Sequence, residues 1–248
     1  DGTAVSGWPI DTGGEVSSSP VLGDIDGDGD LEIIAAAGPA GTVYAWHHDG
    51  ALVAGWPKEA FTTYPASPAL ADLDGDGKLE VIVMAANDDI HIWQDDGAPL
   101  DQWPPADTPG TGGSEKFVSS PVVGDLDGDG DLELLAEQGG TFSGVFAFHH
   151  DGTQLAGWPR YVSSNSNSSP TLADLDQNGD VEIILGANGL FVWDLPGTLS
   201  KNTMQWPCYR HDMKRTGTHG PLAGVVLVFD TSGSMSWAHD GTRDVPIH

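Results

Sequence analysis

Asp24-Ile25-Asp26-Gly27-Asp28-Gly29-Asp30-Leu31-Glu32 is an acidic nine-residue stretch that returns three more times along the chain. The other copies are Asp72-Leu73-Asp74-Gly75-Asp76-Gly77-Lys78-Leu79-Glu80, Asp125-Leu126-Asp127-Gly128-Asp129-Gly130-Asp131-Leu132-Glu133 and Asp174-Leu175-Asp176-Gln177-Asn178-Gly179-Asp180-Val181-Glu182. Oxygen side chains at positions 1, 3 and 5 converge on one point when Gly at position 6 lets the backbone bend. Position 7 then offers its carbonyl and position 9 closes a shell of hard oxygens, the ligand set that Ca²⁺ takes. Only the backbone is needed at position 7 (Asp30, Lys78, Asp131, Asp180), so Lys78 is tolerated there. Asn178 keeps an oxygen but removes a charge, which makes the fourth loop the weakest expected site. Asp and Gly also favour plain turns, so four acidic turns without an ion are the alternative. The repeated ligand spacing favours calcium, about four ions in all.

The loops are not EF-hands, which end on a Glu at position 12 and lie between helices. Each loop here runs straight into a β-branched apolar stretch, as in Leu31–Ala35, Leu79–Val83 and Val181–Leu185, so the loops are expected to join strands. A Ser-Pro pair precedes every loop at one offset: Ser19-Pro20, Ser67-Pro68, Ser120-Pro121 and Ser169-Pro170. Aromatic strands follow, and three of them end in Asp49-Gly50, Asp96-Gly97 and Asp151-Gly152, a strong hairpin signal. A last short strand carries Trp56-Pro57, Trp103-Pro104, Trp158-Pro159 and Trp206-Pro207. The first Asp of the loop recurs after 48, 53 and 49 residues. Four short strands in about 50 residues, with turn residues at fixed offsets, are the pattern of a propeller blade.

Ser-Pro-x-x-x-Asp-x-Asp-x-Asp-Gly-x-x-Glu, an aromatic strand and Gly-Trp-Pro together resemble the FG-GAP/VCBS repeats of integrin-α-like β-propellers. The resemblance covers residues 1–217, and Trp206–Gly217 is similar to the segment that closes such propellers in secreted bacterial proteins. It implies an all-β fold of four-stranded antiparallel blades, structural Ca²⁺ in each blade, and a role in surface binding or adhesion.

After a linker at 218–223, residues 224–248 resemble the start of a von Willebrand factor A domain. Val225–Phe229 is a continuous apolar run, as expected of a buried parallel strand, and it delivers Asp230-Thr231-Ser232-Gly233-Ser234. In that family the Asp and the two hydroxyls bind Mg²⁺ or Mn²⁺, which implies a partial metal site at Asp230, Ser232 and Ser234. The Thr and Asp ligands that the family draws from later loops are not in this sequence, so the site is half built. At the other end, Asp1–Pro9 matches Asp49–Pro57 in register, so the chain opens inside a repeat. There are five Trp-Pro pairs and four loops, which reads as an interior piece of a larger multidomain protein. A closed four-bladed ring is the alternative.

Net charge is −28 with only nine Lys and Arg, and the four loops hold 18 of the 37 acids. Four Ca²⁺ would leave about −20, so nucleic acid and anionic membranes are poor partners. No apolar run approaches membrane-spanning length. Cys208 is the single cysteine, so no intramolecular disulfide forms. Weak calcium sites fill at extracellular but not at cytosolic calcium, which points to an extracellular or cell-surface location. The expected partner is an extracellular protein or glycan.

Most of the nine Trp are expected to pack blades, since they recur at fixed repeat positions. His47-His48 and His149-His150 read as turn-flanking surface residues, because neighbours on a strand point to opposite faces. Lys201, Arg210, Lys214 and Arg215 are expected to balance local acids. Three functional classes follow: a calcium-stabilised adhesion or interaction module, a calcium-dependent polysaccharide lyase or carbohydrate-binding propeller, or a structural spacer of a large surface protein. Regular repeat lengths leave little room for inserted active-site loops, so no catalytic residue is assigned.

Overall fold

The structure is a computed structural model. It describes residues 2–16, 18–38, 41–60, 66–85, 90–101, 103, 116–117, 119–139, 143–162, 166, 168–198, 204–208, 211, 219, 237–239 and 244–246. Among these residues there is no helix, and all strand pairing is antiparallel. The first sheet is β1 (Val21–Gly23), β2 (Glu32–Ala37), β3 (Thr42–Trp46) and β4 (Lys58–Glu59), paired in that order. The second is β5 (Ala69–Ala71), β6 (Glu80–Met84) and β7 (Ile90–Trp93). The third holds β8 (Lys116–Phe117), β9 (Val122–Gly124), β10 (Glu133–Gly139), β11 (Gly144–His149) and β12 (Arg160–Tyr161), with both β8 and β9 on β10. The fourth is β13 (Thr171–Ala173), β14 (Asp180–Ala187) and β15 (Gly189–Thr198). Four strands per sheet were expected; the second and fourth show three among the described residues.

The acidic loops are hairpin connections between the first and second strands of each sheet. The pairs Gly23↔Glu32, Ala71↔Glu80, Gly124↔Glu133 and Ala173↔Glu182 close them in one register. The following residue pairs with the third-strand aromatic in every sheet: Ile33↔Trp46, Val81↔Trp93, Leu134↔Phe148 and Ile183↔Trp193. Apolar residues from both faces of the sheets fill two clusters, one spanning sheets one to three and the other joining sheets three and four. A sheet that is covered on both faces accounts for near-continuous runs such as Glu80–Met84, buried at every position.

Neighbouring sheets are joined by two repeated devices. Backbone N–H groups of Ser19, Ser67 and Ser120 donate to Oγ of Ser67, Ser120 and Ser169 at 3.0, 3.0 and 3.1 Å, so the Ser-Pro pairs form a relay from sheet to sheet. The second device is the Trp of Trp-Pro, whose ring lies edge-on against the third-strand aromatic of the next sheet. Trp8 meets Trp46, Trp56 meets Trp93, Trp103 meets Phe148 and Trp158 meets Trp193, with centroids 5.8–6.2 Å apart. Three of these indoles also donate Nε1–H to a turn carbonyl, of His48, Asp95 and His150, at 3.1, 3.0 and 2.9 Å. At the first two latches the residue before the Trp has room only for glycine. A Cβ on Gly7 or Gly55 would lie 1.8 Å from the carbonyl oxygen of Asp49 or Asp96. The expectation that these Trp pack blades holds for all four.

Trp206-Pro207 breaks the pattern and corrects its assignment as a last blade strand. Trp206 is fully buried and pairs through both backbone groups with Val123 on β9, while Leu172 on β13 donates to the Pro207 carbonyl. Gln205 Oε1 accepts from Asp72 N at 2.8 Å, and His219 N donates to the Leu22 carbonyl. The described residues of the closing segment therefore touch the first strand, or the residue just after it, in all four sheets. The expected count of five equivalent Trp-Pro strands falls to four. Residues 2–9 lie against the first sheet as Leu52–Pro57 lie against the second, and the outer edge of β15 has no partner among the described residues. The linker is described only at His219. Beyond it, β16 (Trp237–His239) pairs with β17 (Asp244–Pro246). Val225–Phe229 and Asp230, Ser232 and Ser234 lie outside the described residues, as do Lys201, Arg210, Lys214 and Arg215.

One buried acid has no role in the loops. Glu137 on β10 is 0% exposed, and neither carboxylate oxygen has a hydrogen-bond partner among the described residues. Burial pushes it up to about 8, against a small opposing pull from Ser166, whose hydroxyl donates to the Gly186 carbonyl. The folded chain thus holds this proton while the unfolded chain releases it near 4.5, so stability falls as pH rises between those values. Melting temperature of the wild type should fall relative to Glu137→Gln from about pH 4.5 to about 8 and level off above that, by on the order of ten degrees in all. Parallel curves for the two proteins would show that Glu137 is not held neutral.

Candidate metal centres

Each loop is shaped by its own carboxylates. In the first, Asp24 Oδ1 accepts from Gly27 N at 2.8 Å and Oδ2 from Gly29 N at 3.1 Å, Asp26 Oδ1 accepts from Asp28 N, and Asp28 Oδ1 from Asp30 N. The second loop repeats this with Gly77 N on Asp72, Asp76 N on Asp74 and Lys78 N on Asp76. The third has Gly128 N on Asp125, Asp129 N on Asp127 and Asp131 N on Asp129. In the fourth, Gly179 N, Asn178 N and Asp180 N donate to Asp174, Asp176 and Asn178. Alternating acids at positions 1, 3 and 5 thus act first as local turn formers.

Positions 4 and 6 both need positive φ. Gly27 and Gly29, Gly75 and Gly77, and Gly128 and Gly130 supply it, with φ between 75° and 97°. The fourth loop places Gln177 at position 4 with φ 64°. A left-handed conformation costs a side-chain-bearing residue roughly 1–2 kcal/mol, so Gln177→Gly should stabilise the fold by about 1 kcal/mol once the added freedom of the unfolded chain is subtracted. Denaturant titration measures it; an unchanged or lower midpoint would refute the strain.

Position 9 is the buried corner. Glu32 and Glu133 are 0% exposed, and Glu80 and Glu182 are buried with them. In every loop Oε2 accepts from the backbone N–H of position 2: Ile25 at 3.0 Å, Leu73 at 2.7 Å, Leu126 at 2.7 Å, and Leu175 in the fourth. Burial raises Glu32, lifts Glu80 to about 8 and Glu133 to about 7, and raises Asp125. A bound divalent cation would reverse that and favour the ionised carboxylates.

The residues fit such a cation. Asp24–Asp26–Glu32, Asp72–Asp74–Glu80 and Asp125–Asp127–Asp129 each bring ligand atoms within 4.8 Å of one another. Asp72 Oδ1 and Asp174 Oδ1 are buried without any hydrogen-bond partner among the described residues, and a ligated ion would satisfy both. All loop residues named from sequence are described, and they lie together in their loops.

Other neighbours were not foreseen. His47 Nδ1 lies 3.2 Å from Glu32 Oε1 and 3.9 Å from Asp26 Oδ2, and His149 Nδ1 lies 3.2 Å from Glu133 Oε1 and 4.0 Å from Asp127 Oδ2. His48 and His150 approach the position-7 acids Asp30 and Asp131 at 3.5 and 3.7 Å. Both residues of each His-His pair therefore address one loop, because the second lies in the turn beyond the strand, where alternation no longer applies. In the second sheet the position-7 charge is reversed and so is its partner, Lys78 Nζ lying 2.5 Å from Asp95 Oδ2. Lys78 is more than tolerated. A cavity of about 480 Å³ opens between the second and third loops, lined among others by Asp72, Asp74, Asp131, His150, Gln205 and His219. Burial, then the nearby His211, lowers His219 to about 4, so His219 carries no positive charge near neutrality.

Sheets, loops and latches of this kind define an all-β, propeller-like fold. Residues 24–83 and 72–136 match the FG-GAP-like repeat. Among solved structures, BBS1N, crystallised with ARL6DN, is similar at 17% identity and TM-score 0.51, over 82% of this chain and 63% of that one. The Vibrio cholerae biofilm matrix protein Bap1 gives 24% identity and TM-score 0.49, over 78% of this chain and 31% of that one. The Dos1 propeller gives 13% identity and TM-score 0.45, over 68% and 44%. The chain thus spans less than a third of the Bap1 chain and less than two thirds of the BBS1N chain. No curated protein sequence matches it.

Proposed function

We propose that this chain is a calcium-stabilised interaction module of a secreted or cell-surface protein, with one structural Ca²⁺ in each of its four loops and no reaction of its own. The observation that carries the reading is the convergence of acids on buried, partly unpartnered oxygens in loops whose backbone is already bent to receive an ion. Asp, Asn and Glu side chains at positions 1, 3, 5 and 9 supply hard oxygens, with the carbonyls of Asp30, Lys78, Asp131 and Asp180 completing the shell. Metal there neutralises acids that otherwise resist ionisation and fastens the first two strands of each sheet. Held rigid, the four-bladed unit presents turns and outer strands to an extracellular protein or glycan. The strongly acidic surface supports that choice over nucleic acid. The resemblance at 224–248 adds a second, Mg²⁺-dependent ligand site begun by Asp230, Ser232 and Ser234.

Thermal unfolding with calcium titrated in, against a chelated control, tests the calcium reading. Ions that bind only the folded state raise its stability by about 2.7 kcal/mol per site at a hundred times Kd. A saturable rise in melting temperature is expected, reduced in Asp72→Asn. Identical curves with calcium and with chelator would sink it.

A further inference from the structure

We propose that the outward face and edge of the fourth sheet bind a second copy of this chain head to tail, with residues 3–5 of the incoming copy supplying a fourth strand. The proposal goes beyond the calcium reading and rests on the sheet arrangement alone. Each of the first three sheets gives one apolar face to the sheet after it. Position 2 of the acidic loop lies on that face: Ile25, Leu73 and Leu126 are buried, whereas Leu175 in the fourth sheet is 59% exposed. On the third strand, Val43, Ile90 and Val145 are buried, and their counterpart Leu190 is 75% exposed. Ala45, Ile92 and Ala147 are buried as well, and Val192 is 45% exposed. The pairs Ile34↔Ala45, Ile82↔Ile92, Leu135↔Ala147 and Ile184↔Val192 stand at one step from the position-9 glutamate, so these residues are true counterparts. Large apolar side chains bared together mark an interaction surface.

The edge beside this face is open for a stated reason. In the first three sheets the chain turns back at Asp-Gly and lays a short segment along the third strand. Val53, Leu100 and Leu155 N donate there to the carbonyls of Ala45, Ile92 and Ala147 at 3.0, 2.9 and 2.9 Å. One residue earlier, Leu52, Pro99 and Gln154 bridge to Trp46, Trp93 and Phe148. β15 does not turn back. It runs on along β14 to Thr198, and Gly197 N donates to the Leu126 carbonyl in the third sheet. The edge at Val192 and Trp193 is therefore without a strand among the described residues, and such an edge is a template for strand addition.

The chain carries the matching piece. Asp1–Pro9 repeats Asp49–Pro57 in register, so Ala4 and Val5 stand where Leu52 and Val53 do. Trp8 is already latched to Trp46 of its own first sheet, and its N–H donates to the Val5 carbonyl at 3.0 Å, as Trp56 donates to Val53 at 3.1 Å. Yet Val5 is 65% exposed, whereas Val53, Leu100 and Leu155 are buried. One surface lacks a strand and a covering sheet, and the other offers both in the phase of the repeat. In the joined pair, Val5 N donates to the Val192 carbonyl and Ala4 lies opposite Trp193. The first sheet of the incoming copy then covers Leu175, Leu190 and Val192. The contact is heterologous, and two copies that each use both surfaces close a ring of eight sheets, within the range of propellers.

The test is sedimentation velocity of the whole chain across micromolar concentrations, with calcium present and at physiological ionic strength, which screens the acidic surfaces. Reversible dimers are expected. Leu190→Asp removes the apolar face and Val5→Asp the incoming strand, and each should weaken association at least about tenfold. Both side chains are exposed in the single chain, so circular dichroism and melting of the variants should match those of wild-type monomer. Mixing the two variants is the decisive arm. The intact strand of Leu190→Asp meets the intact face of Val5→Asp, so the mixture should associate where neither variant does alone. A wild type that stays monomeric overturns the proposal. So does a Val5→Asp that associates like wild type, the result expected if two fourth sheets simply stack face to face. A mixture no better than its components overturns it too. The calcium reading is untouched by any of these results, since it is read from melting of the single chain.

Discussion

The bond from the position-2 backbone N–H to the buried position-9 glutamate is the contact on which each sheet depends. Ile25 to Glu32 and its three counterparts tie the start of the acidic loop to the first part of the second strand. Because that glutamate is also the cross-strand partner of the residue just before the first Asp, one carboxylate fixes the hairpin register and, one residue later, the pairing with the aromatic strand. The same carboxylate is buried beside other acids, a position whose desolvation has to be offset. Hydrogen bonds offset part of it, and a cation would offset the rest, so the fold and the candidate metal centres draw on one group of atoms.

Between sheets the forces are of another kind. The serine relay is short, polar and partly buried, while the Trp latch joins a large apolar ring, in three cases of four, to one hydrogen bond. An edge-on aromatic pair adds roughly 0.5–1.5 kcal/mol beyond its buried area, and repetition multiplies it. The junction to the fourth sheet is thinner: Trp158 keeps its ring contact with Trp193, but β15 runs on through ten residues where the other sheets turn at Asp-Gly. Gly157 meets no backbone of the next sheet, whereas Gly7 and Gly55 press against a carbonyl.

Much of this was legible in the sequence because it is periodic. Loop spacing, Ser-Pro offset and Trp-Pro position locate the four sheets and the loop ligands without any coordinates. What escaped is relational. Lys78 looks like a mere exception until Asp95 is found beside it, a charge reversal of Asp30 with His48. The His47-His48 and His149-His150 pairs look like surface residues because a strand rule was applied to pairs whose second member had already entered the turn. Trp206-Pro207 shares two letters with the latch yet performs a different task, since its place is set by Val123 and Leu172 from distant sheets. Local pattern carries no information about which repeated word has been reassigned by long-range pairing.

The Trp latch also bears on how such a chain can lengthen or shorten. Each indole is encoded with one sheet and housed by the next, so the heritable unit and the packed unit are out of phase by one strand. An exchange between equivalent points of two repeats, wherever it falls, still delivers a ring to every waiting aromatic. Excision of a sheet along its visible borders would instead strand one indole and bare one acceptor, so gene copies that differ in repeat number can stay foldable only when the joint respects the phase of the text and not the outline of the object.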